Sequence, residues 1–97
     1  MYALQPTIYR DLAAAIAQSL SNIYYFSGSV ALIDGDAECR LTASLIIYRH
    51  RADIFSDETD YITNVVPVWW DCRTEVDGEA VENDFDFAMF RDAMMSL

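Results

Sequence analysis

Between Ala37 and His50 the chain alternates without interruption. Ala37, Cys39, Leu41, Ala43, Leu45 and Ile47 fall on one side of an extended segment, and Glu38, Arg40, Thr42, Ser44, Ile46, Tyr48 and His50 fall on the other. Successive side chains of a strand point to opposite faces, so this period of two predicts a strand with one core face and one mostly wet face. A slip of one residue would turn the apolar set into water, which pins the register. The rest of the chain must therefore complete a sheet and roof its greasy side.

The preceding run supplies a first partner. Phe26, Gly28, Val30 and Leu32 alternate with Tyr25, Ser27, Ser29, Ala31 and Ile33, and Asp34-Gly35-Asp36 joins this run to Ala37. Asp-Gly between alternating segments signals a hairpin, because Gly accepts positive φ at little cost. A third strand is expected from about Tyr61 to Glu75, where Val65, Val66, Val68, Trp69, Trp70 and Cys72 favour extended backbone. Pro67 cannot donate to a ladder, so this strand should be bulged, at an edge, or paired on one side only near Pro67. Val76-Asp77-Gly78-Glu79 reads as a further turn, leaving Ala80 to Asn83 for a brief fourth strand.

Two segments carry helical spacing. Ile8, Leu12, Ile16, Leu20 and Ile23 recur at near four, with Ala13, Ala14, Ala15 and Ala17 between them; Pro6 and Thr7 suit the start, Ser21 and Asn22 the stop. Near the other end Phe87, Phe90, Met94 and Leu97 recur at three and four, with Asp86 as N-cap and Phe85 and Phe90 in the two positions of a hydrophobic staple. No repeat or linker divides residues 1–97. The expectation is a single α+β domain: a helix, an antiparallel hairpin plus a third strand, with or without a fourth, and a C-terminal helix, with both helices packed on one face of the sheet.

Charge and composition exclude several classes. Sixteen Asp and Glu against six Arg and no Lys give a net charge of −10, a field that repels nucleic acid and anionic membrane surfaces. The absence of Lys removes Schiff-base and Walker-type chemistry. Cys39 and Cys72 lack metal-ligand or C-x-x-C spacing and read as reduced core residues, so neither metal nor cofactor is expected. No apolar run has the length of a membrane span, and Met1 to Asp11 lacks the pattern of a secretory signal, which makes a cytoplasmic location the expectation.

The run Cys39-Arg-Leu-Thr-Ala-Ser-Leu-Ile-Ile-Tyr48, followed by Val65-Val66-Pro67-Val68-Trp69-Trp70 and Asn83-Asp84-Phe85-Asp86-Phe87, resembles small uncharacterised acidic proteins of gut anaerobic bacteria. The resemblance spans about half of the chain. It implies a bacterial origin, with a mobile element as one source, and brings no activity, ligand or site with it.

Candidate sites follow from residue type. Asp71, Glu75, Asp77, Glu79, Glu82, Asp84 and Asp86 place seven carboxylates in sixteen residues, a set that could hold a hard cation in a small metal-dependent hydrolase, although the spacing matches no EF-hand loop. The same carboxylates could mimic phosphates in an acidic inhibitor of a nucleic-acid-binding enzyme. His50, between Arg49 and Arg51, is a candidate general base without a nucleophile at motif spacing. The two arginines are expected to pair with the acidic stretch Asp53 to Asp60. Trp69 and Trp70 should point to opposite faces, one into the core and one outward. Exposed Trp and Tyr concentrate at binding hot spots, so Trp69, Trp70, Tyr48, Ile46 and Tyr61, with Tyr24 and Tyr25 nearby, form the expected interaction surface. The leading expectation is a non-catalytic module with a protein partner, including a second copy of itself as a homodimer through a sheet edge or this surface.

Overall fold

The computed structural model describes residues 1–20, 24–50 and 61–97. Its elements are α1 (Pro6–Ser19), β1 (Tyr25–Asp34), β2 (Ala37–His50), β3 (Tyr61–Val76), β4 (Glu79–Val81) and α2 (Phe87–Met95). The strands form one antiparallel meander in the order β1-β2-β3-β4, and both helices pack on the same face, α1 over β1 and α2 over β3. This is the expected α+β arrangement, with the fourth strand present.

The alternation of β2 sets the layer. Cys39, Leu41, Ala43, Leu45 and Ile47 are buried beneath Leu12 and Ile16 of α1 and Phe90 and Met94 of α2. Each fully buried Leu, Ile or Phe side chain contributes about 1.5–3 kcal/mol. Asp86 caps α2 as expected, its side chain accepting from the Ala88 N–H at 2.9 Å, and the staple rings of Phe85 and Phe90 lie 6.1 Å apart. Leu97 falls past the end of α2 and is exposed. Pro6 is the first residue of α1, with Gln5 at the N-cap and no side-chain cap bond; Thr7 lies inside the helix, because Pro6 already supplies the fixed φ of a first turn. The stop residues expected at Ser21 and Asn22 lie outside the described residues.

The turns differ in detail. Asp77 and Gly78 both have positive φ (53° and 82°), the pattern of a type I′ Asp-Gly hairpin between β3 and β4. Between β1 and β2, Gly35 alone has positive φ, the II′ pattern.

β3 does not alternate because it is bulged twice. Leu45 pairs with Pro67 while Ser44 pairs with Trp69, leaving Val68 as an extra residue; Tyr48 pairs with Asn64 while Arg49 pairs with Ile62, leaving Thr63. Each extra residue inverts the side-chain parity. Thr74, Cys72, Trp70, Pro67 and Val65 thus lie opposite Cys39, Leu41, Ala43, Leu45 and Ile47, and Ile62 lies opposite Arg49. Pro67 sits beside a bulge in the part of β3 that only β2 pairs.

The segment after β4 ties the start of the chain to the sheet. Tyr2 donates from its N–H to the Glu82 carbonyl at 2.7 Å and accepts from the Asp84 N–H at 3.1 Å, while the Leu4 N–H donates to Asp84 Oδ1 at 2.7 Å. Asn83 donates from Nδ2 to the Cys72 carbonyl at 3.0 Å and to Thr74 Oγ1 at 3.2 Å.

Candidate functional site

With the helices on one face, no described element covers the other face of the sheet, and the register arranges its side chains in rows. Ile33, Glu38 and Glu75 form one row; Ala31, Arg40 and Arg73 the next; then Ser29, Thr42 and Asp71; Ser27, Ser44 and Trp69; and Tyr25, Ile46 and Val66. Tyr48 opposite Asn64 and His50 opposite Tyr61 complete the far end. The face therefore grades from charged, through hydroxyl, to aromatic and aliphatic.

Local chemistry explains each zone. Arg40 and Arg73 face one another across β2 and β3, a like-charge pairing that is unfavourable by itself. Each instead pairs with a carboxylate two residues earlier on its own strand: Arg40 with Glu38 at 2.9 Å and Arg73 with Asp71 at 2.8 Å. Side chains at that spacing share a face, so the ion pairs lie flat on the sheet. Next to them Ser29 bonds Thr42 Oγ1 at 2.6 Å and Ser27 bonds Ser44 Oγ at 3.0 Å, which satisfies the hydroxyls across strands.

At the third zone Tyr25, Ile46, Tyr48, Tyr61, Val66, Val68 and Trp69 are all exposed, Trp69 at 55% of its surface and Val68 at 65%. The ring of Tyr61 stacks on His50 with centroids 4.9 Å apart. The expected interaction residues thus divide. Ile46, Tyr48, Tyr61 and Trp69 lie on the open face; Trp70, opposite Ala43, lies on the helix face against Phe85 (5.0 Å) and Phe87 (5.9 Å). The two indoles do point to opposite sides, but neither is buried, since Trp70 remains 38% exposed at the β3 flank of the core. Val66 and Val68 escaped the sequence reading; only the position of the Val68 bulge puts them beside Ile46 and Trp69.

The remaining candidates sit apart from this zone. Of the carboxylates in residues 71–86, Asp71 holds Arg73, Asp84 holds the Leu4 N–H and Asp86 caps α2, three separate structural tasks. Among the described residues no three His, Cys, Asp or Glu side chains gather as a metal site would require. The pairing expected between the arginines flanking His50 and Asp53 to Asp60 lies outside the described residues. A hollow of about 440 Å³ runs along β3 and β4 beside Arg73, Glu75 and Asn83, and one of about 400 Å³ lies between the helices, lined by Tyr9, Arg10, Met89 and Asp92. Neither includes Ile46, Tyr48, Tyr61 or Trp69. No described helix is long and apolar enough to cross a membrane. No family model, curated protein or solved structure matches the chain.

Proposed function

We propose that the chain is a non-catalytic protein-interaction module of the bacterial cytoplasm, and that the aromatic end of the open sheet face receives a protein partner. The observation that carries this reading is the cross-strand contiguity of Tyr25, Ile46 and Val66 beside Tyr48, Val68 and Trp69, all exposed. Contiguous exposed apolar patches with polar borders mark interaction sites, and Trp and Tyr dominate the energetics of such contacts. Here the border is supplied by the Ser27–Ser44 and Ser29–Thr42 hydroxyl pairs. The flat face suits a protein surface better than a small substrate, which needs a concave site with converging polar groups. Of the seven carboxylates that would have to serve a metal-dependent hydrolase, Asp71, Asp84 and Asp86 are engaged in holding the fold together.

The test is comparative. A partner captured by the wild-type chain from a lysate of its source organism should bind a Trp69→Ser, Tyr48→Ser variant at least about tenfold more weakly by calorimetry, since hot-spot aromatics contribute about 2 kcal/mol or more each. Both side chains are exposed, so an unchanged circular dichroism spectrum should accompany the loss. Equal affinity of the two proteins for every captured partner would remove this face from the reading.

A further inference from the structure

The two flanks of the sheet are finished differently. Along the β3 flank, β4 pairs residues 74–76, Asn83 takes up the Cys72 carbonyl, Pro67 offers no N–H, and the extra residues Thr63 and Val68 interrupt the ladder. Such features stop a sheet edge from pairing with another chain. β1 has none of them. Its ten residues pair with β2 in unbroken register, without proline, and with no charged side chain before Asp34. In a chain of net charge −10, this neutral edge is where a second copy meets least repulsion.

Ladder parity fixes which backbone groups face outward. The Tyr24 carbonyl accepts from the Ile47 N–H at 2.8 Å, and Asp34 pairs with Ala37 around a two-residue turn, so the even-numbered residues of β1 exchange bonds with β2. The N–H and C=O groups of Tyr25, Ser27, Ser29, Ala31 and Ile33 therefore point away from the sheet, and among the described residues no backbone group meets them.

We propose that two copies of the chain pair antiparallel through β1 about a twofold axis at Ser29, joining two four-stranded sheets into one. The outward set is symmetric about Ser29. On the open face Tyr25 meets Ile33 of the second copy, Ser27 meets Ala31, and Ser29 meets itself; on the helix face Phe26 meets Leu32 and Gly28 meets Val30. Tyr25 opposite Ile33 is an aromatic–β-branched pair, which stabilises a sheet, and no like charges are opposed. An axis moved by one residue in either direction leaves Tyr25 or Ile33 without a strand partner, which selects Ser29. The contact is self-complementary, as a twofold interface requires. It meets the aromatic face at Tyr25, and substitution at Ser29 leaves Ile46, Tyr48, Val66 and Trp69 in place, so the two proposals can fail separately.

Light scattering on the full chain should give twice the 11.0 kDa protomer mass. Ser29→Glu and Ser29→Lys each set like charges opposite one another at the axis, so each variant alone should run at the protomer mass, and an equimolar mixture should return to the doubled mass. The Ser29 side chain is exposed on the open face, so each variant should keep the wild-type circular dichroism spectrum. Ser29→Cys should cross-link the two copies on mild oxidation, since directly opposed hydrogen-bonded residues have Cα atoms about 5.5 Å apart, within disulfide range. Ala31→Cys should not, because the two copies of that position are offset by four residues. A protomer mass for the wild type at millimolar concentration overturns the proposal and leaves the edge to a peptide of another protein. A dimer indifferent to Ser29→Glu, or cross-linking by Ala31→Cys as ready as by Ser29→Cys, overturns it as well.

Discussion

Cys39 and Cys72 lie on the helix-facing side of adjacent strands, opposite Thr74 and Leu41 respectively, and both are free thiols. Burial pushes both thiols up, Cys72 from an ordinary 9.0 to about 12. The Tyr2 hydroxyl donates to an Asp34 carboxylate oxygen, and that bond holds the phenol at about 12 instead of 10.0. In each case the folded chain keeps a proton that the unfolded chain releases at lower pH. The stabilisation from these groups is therefore complete below about pH 9 and is lost as pH climbs toward 12. The urea midpoint should stay level up to about pH 8.5 and fall from there to pH 11. Cys72→Ala should flatten the first part of that fall and Tyr2→Phe the part above pH 10; a decline identical in both variants would show that other groups govern it. The thiols themselves should resist alkylation at neutral pH, since the thiolate is the reactive form.

At the level of elements, the type I′ turn at Asp77-Gly78 closes the β3–β4 hairpin that shields one edge of the sheet. A Cβ at Gly78 would meet nothing within 4 Å, so the cost of Gly78→Ala comes from its φ of 82° rather than from a clash. About 1 kcal/mol of destabilisation is expected in chemical denaturation, and Gly78→Asn, which tolerates that backbone better, should recover part of it. Equal stability of wild type and Gly78→Ala would mean that the hairpin carries no weight in the fold. Elements with a regular period could be read directly from the residues: β2 from its alternation, α2 from Asp86 followed by Phe87, Phe90 and Met94. The faces of β3 could not. A bulge adds a residue without leaving a compositional mark, and after Thr63 and again after Val68 the parity flips, so a regular-strand reading misplaces part of the surface. Alternation separates Trp69 from Trp70 but does not say which indole turns to the helices; the register does, setting Trp70 opposite Ala43 and against Phe85 and Phe87. α1 begins at Pro6 as its place in a first turn predicts, but Thr7 has no capping task, because Pro6 opens the helix without a side-chain acceptor.

Across the whole molecule, one strand holds the layers together. β2 is paired on both sides and buries its alternate residues under both helices, so every other element meets the core through it or beside it. The alternation that made this strand legible is the same one that orders the open face into its three zones. Which end of that face is apolar could be read from Ile46 and Tyr48; which neighbours complete it required the register. The contacts of Tyr2 and Leu4 with residues 82–84 belong to a different class, since the Leu4–Asp84 bond joins positions 80 residues apart. Hairpins close over short loops and can form early, whereas a latch spanning nearly the entire chain must wait until both helices have found the sheet. Asp84→Ala should therefore steepen escape from the native state without slowing its formation: in stopped-flow chevrons the unfolding limb rises several-fold and the refolding limb stays where it was. The latch then acts as a brake on opening, setting how long a folded molecule lasts and leaving untouched how fast one is made.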